Sequence, residues 1–275
     1  MIDPSRSLSY NLTIQCSLDG FCFLLHDIEE DKIIDIELYQ TSKADDENLA
    51  MESLEKALFK KGLYEKPFHS VRFIVGNRLS TLVPEELFDD ERPEAYFHFN
   101  HELPPNYTLM HEAMPSIKSV NVFALPTQQK KRILGLWSNA IITHQSTVFL
   151  NSILHEAPAE DKVTAYINVN NRSFDMAIVK EGNLLFFNNF KFNTKDDFAY
   201  FLIFTLEQQQ LDTQETPICF TGLISGNSEI IRLCERYIKH IRFIRPDGSV
   251  NVDMALNNTP FQYYYIPYKS IPCES

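Results

Sequence analysis

The chain has 275 residues, 44% of them apolar and 23% charged, and a formal net charge of −12. That length accommodates two cores of ordinary domain size, and the composition is that of a globular protein, not a disordered one. The acidic balance argues against nucleic acid as a partner, because phosphate neutralisation needs clustered Lys and Arg, and Lys130-Lys131-Arg132 is the only three-residue basic run.

No run of 18 apolar residues occurs, so no helix long enough to cross a bilayer is expected. Residues 1–9 carry Asp3 and Arg6 and lack the apolar stretch of a signal peptide. The five cysteines, Cys16, Cys22, Cys219, Cys234 and Cys273, are odd in number and show no Cys-x-x-Cys spacing. A reducing compartment, the cytoplasm, is the expected location. Glycine is scarce, with 8 residues in the chain, under half the usual ~7%. Loops that wrap phosphates need glycine where backbone amides approach the ligand.

The first forty residues read as three strands, over 8–17, 21–26 and 32–40, with Asp19-Gly20 as a hairpin turn and the acidic stretch 27–31 as the next. A helix follows over 45–61, with Leu49, Leu54, Ala57 and Leu58 on one face and Gly62 past its end. A strand over 70–75 comes next. Short segments at 81–83, 84–88 and 95–99 lead to the Pro104-Pro105 loop and to strands over 108–113 and 119–125. Pro126 opens a helix over 127–139, with Ile133, Leu136 and Trp137 at helical spacing, then a short strand over 140–143 and a helix over 146–155.

Residues 157–161, Ala-Pro-Ala-Glu-Asp, read as a boundary, after which the order restarts. Strands are expected over 163–169, 174–179 and 184–192, with Glu181-Gly182-Asn183 as a turn. A helix over 195–210, a strand over 217–221, a loop over 222–226, a helix over 228–240 and a closing strand over 242–245 complete the pattern. Each half reads strand, strand, strand, helix, strand, an architectural repeat without residue repetition. The lobes are placed at 1–158 and 159–275, the second carrying a tail whose Tyr263, Tyr264, Tyr265 and Tyr268 pack on the body.

Three loops fall at fixed places in this doubled order: residues 14–21 (Ile-Gln-Cys-Ser-Leu-Asp-Gly-Phe), 166–174 (Tyr-Ile-Asn-Val-Asn-Asn-Arg-Ser-Phe) and 220–227 (Phe-Thr-Gly-Leu-Ile-Ser-Gly-Asn). With them the chain, over residues 8–245, resembles the actin/hexokinase-like superfamily of actin-like ATPases. Within that superfamily it is similar to the PilM-like, pilus-assembly branch, and it looks like a member of a bacterial domain-of-unknown-function family. The resemblance implies an α/β, two-lobed actin-like (ribonuclease H-like) fold, each lobe a mixed sheet flanked by helices.

In that superfamily two hairpins each carry Asp-x-Gly and a hydroxyl residue, and a third loop offers a Gly-Gly pair to the adenosine. Here Gln15 and Ser17 stand at the Asp and Gly positions of the first hairpin. Asn168 and Asn170 stand at those of the second, and Ser173 matches its hydroxyl. In the third loop Gly222 and Gly226 remain, with Leu223 in the second glycine's place. A Gln or Asn cannot hold Mg²⁺ as an anion, and a Cβ crowds the phosphate. The resemblance thus implies that these seven positions are degenerate nucleotide-loop positions, and no cofactor, metal or catalytic residue is expected.

Other chemistry is unsupported. His98, His101, Glu102, His111 and Glu112 lack metal-ligand spacing, no Gly-x-Ser-x-Gly or Gly-x-x-x-x-Gly-Lys sequence occurs, and Cys16, Cys22 and Cys219 lie in strand patterns. Three functions stay open. One is a non-catalytic interaction or scaffold module, a pseudo-ATPase recognising another protein, with a homodimer also allowed. Another is a residual ATP-binding switch. The third is an enzyme of unrelated mechanism in the interlobe cleft. The loss of both acids with retention of the strand order favours the first. Phe88 and Tyr96, in the aromatic and acidic stretch 82–105, and Tyr107 just after it are its candidate partner-binding residues, and packing on the lobe accounts for Phe97 and Phe99.

Overall fold

The alternation of apolar residues in the first forty positions produces a hairpin ladder. In a computed structural model, which describes residues 3–17, 20–40, 47–156, 162–245, 247–248, 250–253, 256 and 259–271, β1 (Tyr10–Ser17), β2 (Gly20–Asp27) and β3 (Lys32–Gln40) form an antiparallel meander. Residue 19 of the expected first turn, the side chain of Leu49, Cys273 and the boundary at 157–161 lie outside the described residues.

The chain continues through α1 (Glu47–Lys60), β4 (Ser70–Gly76), β5 (Ser80–Pro84), α2 (Pro93–Phe97), β6 (Tyr107–Met114), β7 (Ser119–Pro126), α3 (Thr127–Leu136), β8 (Ile141–His144) and α4 (Gln145–Glu156). Then come β9 (Thr164–Val169), β10 (Ser173–Lys180), β11 (Asn183–Lys191), α5 (Lys195–Gln208), β12 (Ile218–Gly222), α6 (Glu229–Cys234), β13 (Ile241–Phe243), β14 (Asn251–Val252) and α7 (Tyr265–Lys269).

Two compact units result: Met1–Val148 with Asp247–Asn258 and Ile266–Ser275, and Phe149–Pro246 with Thr259–Tyr265. The first holds a six-stranded mixed sheet in the order β14-β3-β2-β1-β4-β8, and the second a five-stranded one in the order β11-β10-β9-β12-β13. In each, a three-strand meander leads through a helix to a strand that pairs parallel with the first strand of the meander, β4 on β1 and β12 on β9. The repeat read from the sequence is thus present as two equivalent sheets.

The cores follow the strand periodicity. In the first unit Leu12, Ile14, Phe23, Leu25, Phe73 and Val75 meet Met51, Leu54 and Leu58 of α1 and Ile133 of α3. Arg132, from the basic run, turns outward and holds Glu55 of α1 at 2.6 Å. In the second unit Ile167, Met176, Phe198, Leu202 and Phe220 form the centre, with the Phe174 and Phe198 ring centroids 4.4 Å apart. Each such fully buried side chain contributes on the order of 1.5–3 kcal/mol.

Some details differ from the sequence reading. The short segment expected at 81–83 is a strand, β5, which joins the two expected strands β6 and β7 in a separate three-stranded sheet of the first unit, β5-β7-β6, with its own small core of Val83, Phe97, Val120, Val122 and Ala124. Residues 95–97 of the expected segment at 95–99 belong to a helix, α2, that covers this core. The helix expected over 127–139 ends at Leu136, where Trp137 turns extended and donates its indole N–H to the Lys66 carbonyl at 2.9 Å. The helix expected over 228–240 is the shorter α6, capped by Ser228.

Candidate functional site

In the first unit, the end of β1 carries Gln15 and Ser17. The Gln15 side-chain amide donates to Gln145 Oε1 at 3.3 Å, and the Ser17 hydroxyl turns back to the Gly20 carbonyl at 3.4 Å. Beside Ser17, Cys16, Val75, Gly76, Asn77, Tyr107 and Gln129 leave a cavity of about 20 Å³, room for a single water. Gly76 keeps this corner tight, since a Cβ there would lie 3.1 Å from the Cys16 carbonyl oxygen.

In the second unit Asn168 is the penultimate residue of β9 and faces Asp175 of β10. Its Nδ2 donates to Asp175 Oδ2 at 3.0 Å, and Asn189 of β11 donates to Asp175 Oδ1 at 2.6 Å. Burial pushes the Asp175 carboxyl up to about 6, against the pull of the Asn189 and Asn168 hydrogen bonds. This Asn-Asp-Asn ladder across three strands was not read from the sequence. Its signal is an acid inside the otherwise apolar run of β10, one hairpin register from Asn168.

Asn170 and Ser173 close the β9–β10 turn, with the Asn170 N–H donating to the Ser173 carbonyl at 2.8 Å. Gly222 lies against this turn at φ +85°, and a Cβ on it would sit 2.2 Å from the Val169 oxygen and 2.8 Å from Asn168 Oδ1. Close passage of β12 by β9 thus accounts for this glycine without a ligand. Gly226 stands apart, its nearest neighbour being the Phe243 ring at 3.6 Å. Gln262 from the tail covers the third loop: its carbonyl accepts from the Thr221 hydroxyl at 3.1 Å and its amide donates to the Ile224 carbonyl at 3.2 Å.

A buried polar network in the first unit also went unread. Glu112 on β6 accepts from the His144 N–H at 2.9 Å, from the Thr143 hydroxyl at 2.7 Å and from the Thr147 hydroxyl. It therefore occupies the N-terminus of α4, where a carboxylate complements unpaired N–H groups and the helix dipole. Burial raises its pKa, while these three donors and Arg72 oppose the shift. Burial holds His144 at about 3, so its ring is neutral. Its Nδ1 accepts from the Ser146 N–H at 3.2 Å, and its Nε2 faces Asn77 Oδ1 at 3.3 Å. Ser146 and His144 are 0% and 1% exposed, and Asn121 of β7 donates to the Ser146 hydroxyl at 3.1 Å, so this serine–histidine contact is part of a buried link between β8 and β7.

The aromatic candidates gather on the small sheet. The Phe88 and Tyr96 rings lie 5.6 Å apart, and both pack with Tyr107 against its core. The Tyr96 hydroxyl donates to the Leu87 carbonyl, which ties α2 to the segment before it. Phe97 is fully buried here, as expected. Phe99 is not packed: it is 84% exposed, and Leu87 is 66% exposed. Residue 99 lies two positions beyond the end of α2, and its ring points away from the core.

The remaining chemistry is quiet. His101 Nε2 meets the Ser80 carbonyl at 3.0 Å, and His111 packs edge-on to Phe88. Among the described residues no group of three or more His, Cys, Asp or Glu is placed to hold a metal ion. Burial pushes the Cys16, Cys22 and Cys219 thiols up to about 12, which keeps them protonated. Among the described residues, no helix is long and apolar enough to cross a membrane.

The chain belongs to the family described as Protein of unknown function (DUF3822), which matches residues 2–241. No curated protein matches it. Among solved structures it is similar to a protein of Bacteroides thetaiotaomicron with an actin-like ATPase fold and unknown function. That likeness has a TM-score of 0.74 and 21% identity, and covers 91% of this chain and 95% of the other. It is also similar to a chain of the PilM–PilN type IV pilus biogenesis complex, at a TM-score of 0.62 and 11% identity, over 94% of this chain and 96% of that one. The fold is therefore the two-lobed actin-like one.

Proposed function

We propose that this DUF3822 member is a non-catalytic actin-like protein of the cytoplasm that acts as an interaction module, recognising another protein through the surface of its three-stranded sheet. The observation that carries the reading is the exposure of two large apolar side chains, Leu87 and Phe99, on a polar segment that carries Glu85, Glu86, Asp89, Asp90 and Glu91. Exposed apolar side chains within a charged rim are the usual anchors of a protein interface. Phe88, Tyr96 and Tyr107 form the support behind them, and the acids favour a partner with a basic surface.

Two further observations support it. Gln15 and Asn168, at the places of the superfamily's acids, are engaged by Gln145 and Asp175. A structural neighbour, PilM, occurs in a complex with a protein, PilN.

Two measurements test the proposal. Calorimetric titration with ATP and Mg²⁺ is expected to give no saturable heat, and magnesium-dependent phosphate release at about 1 s⁻¹ or faster would overturn the non-catalytic reading. Partners recovered by the wild-type protein from native lysate are expected to be lost with Leu87→Ala/Phe99→Ala at unchanged circular dichroism. Full recovery with that variant removes this surface from consideration.

A further inference from the structure

A second surface, in the other unit and independent of the one proposed above, carries its own partner chemistry. Three side chains, Tyr200, Phe204 and Tyr237, are exposed by 60%, 44% and 50% and converge on one groove of about 330 Å³. The groove lies between α5 and the chain at and just after the end of α6. Ala199, Ile203 and Leu233 line it further, and the Tyr200 and Phe204 rings stack 5.6 Å apart at 13°. The interior of α5 faces the other way, with Phe198, Leu202 and Leu206 in the core. The helix is therefore apolar on two faces, and packing within its own unit explains only one.

The charge around the groove selects an occupant. Its charged lining residues are Asp196 and Glu207, both acids. The adjacent Lys195 is paired with Glu229 at 2.9 Å. Asp196 and Glu207 stand at opposite ends of α5, about 16 Å apart along the axis at roughly 1.5 Å per residue. An apolar trough with a carboxylate at each end fits an apolar ridge with a cation at each end. The walls are α5, Leu233 of α6 and Tyr237 in the turn after it, and no strand contributes to the lining, so an extended peptide would find no strand edge to pair with there. A helix satisfies its own backbone and needs only a side-chain ridge.

We propose that the α5–α6 groove is a docking site for an amphipathic helix of a protein partner, about three turns long, with an apolar ridge flanked by Lys or Arg.

The test uses the full chain and a fluorescein-labelled Leu/Lys peptide of about 18 residues, patterned as an amphipathic helix with basic residues at both ends of the ridge. Fluorescence anisotropy is expected to show saturable binding that weakens with salt. Tyr200→Ala/Phe204→Ala should weaken it about tenfold or more, and Asp196→Asn/Glu207→Gln should flatten the salt dependence. These side chains are exposed, so folding should be unchanged by circular dichroism. Leu87→Ala/Phe99→Ala should bind the peptide as wild type does, which separates this site from the first. Binding that is unchanged in Tyr200→Ala/Phe204→Ala, or equal for a Leu/Glu peptide of the same pattern, overturns the proposal. So does equal binding of a scrambled Leu/Lys peptide with no apolar ridge.

Discussion

Asn168 and Asp175 stand directly opposite on β9 and β10, joined by an amide-to-carboxylate hydrogen bond of 3.0 Å. The side chain at the superfamily's acid position is thus an internal donor to a buried acid. Asn168→Asp would place two carboxylates at that distance, and like charges so close cannot both ionise. The variant is expected to lose about 3 kcal/mol of stability at neutral pH in urea denaturation, and to gain no magnesium-dependent phosphate release. Recovery of hydrolysis without loss of stability would contradict the account of this site.

Asp175 also sets a pH dependence. Its carboxyl titrates near 6 in the folded chain against 3.8 ordinarily, because burial disfavours the charge. Folding therefore favours the protonated form, and this contribution is fully present below pH ~4 and lost as pH rises through ~6. Relative to Asp175→Asn, the unfolding free energy of the wild type is expected to fall by up to about 3 kcal/mol across that interval. Parallel pH profiles of the two proteins would refute it.

Gly222 and Gly226 flank one loop but should behave oppositely. Gly222→Ala meets both a positive φ and backbone atoms of Val169 closer than 3 Å, and is expected to cost about 3 kcal/mol or more. Gly226→Ala meets only a ring edge at ordinary contact distance and should stay within about 0.5 kcal/mol. Denaturant midpoints decide between a backbone need and a lost ligand need, since a glycine kept for nucleotide alone would tolerate alanine.

A similar contrast separates Phe97 from Phe99. Phe97→Ala empties the core of the small sheet and is expected to destabilise by about 3–5 kcal/mol. Phe99→Ala removes an exposed ring and should leave the melting temperature unchanged while weakening partner recovery.

Glu112→Ala is expected to destabilise by about 2–3 kcal/mol, because it leaves the His144 N–H and two threonine hydroxyls without their buried acceptor. Thermal unfolding monitored by near-UV circular dichroism reads the loss, and a wild-type melting temperature would show that water replaces the carboxylate at no cost.

The doubled sheet was legible because its determinants are local. Apolar alternation marks the strands, and Glu181-Gly182, with φ of 50° and 73°, supplies the paired left-handed residues of a tight hairpin. The three-stranded sheet was not legible as a unit, although β6 and β7 were read as strands, since the five-residue β5 carries little periodicity and pairs with β7 across an intervening helix and strand. The Asp175 and Glu112 networks escaped for a related reason. Each acid is defined by partners on neighbouring strands or on another sheet, whereas sequence spacing reports only what lies along one element. Leu87 was not singled out and Phe99 was read as packed, because composition does not say which apolar side chain of a cluster faces inward.

The first unit is assembled from distant parts of the chain. β14 pairs with β3 in parallel, Lys32 meets Asp253 at 2.8 Å, and Tyr268, 2% exposed, bonds Asp247 and the Val250 N–H. A ribosome therefore releases β1 to β8 long before the residues that complete their packing, while most of the second unit is made in one stretch. During synthesis the earlier unit must wait, with Lys32 and Ile33 at the start of β3 an unpaired sheet edge until β14 arrives. Strand pairing with a neighbouring nascent chain is the hazard that this order of events creates.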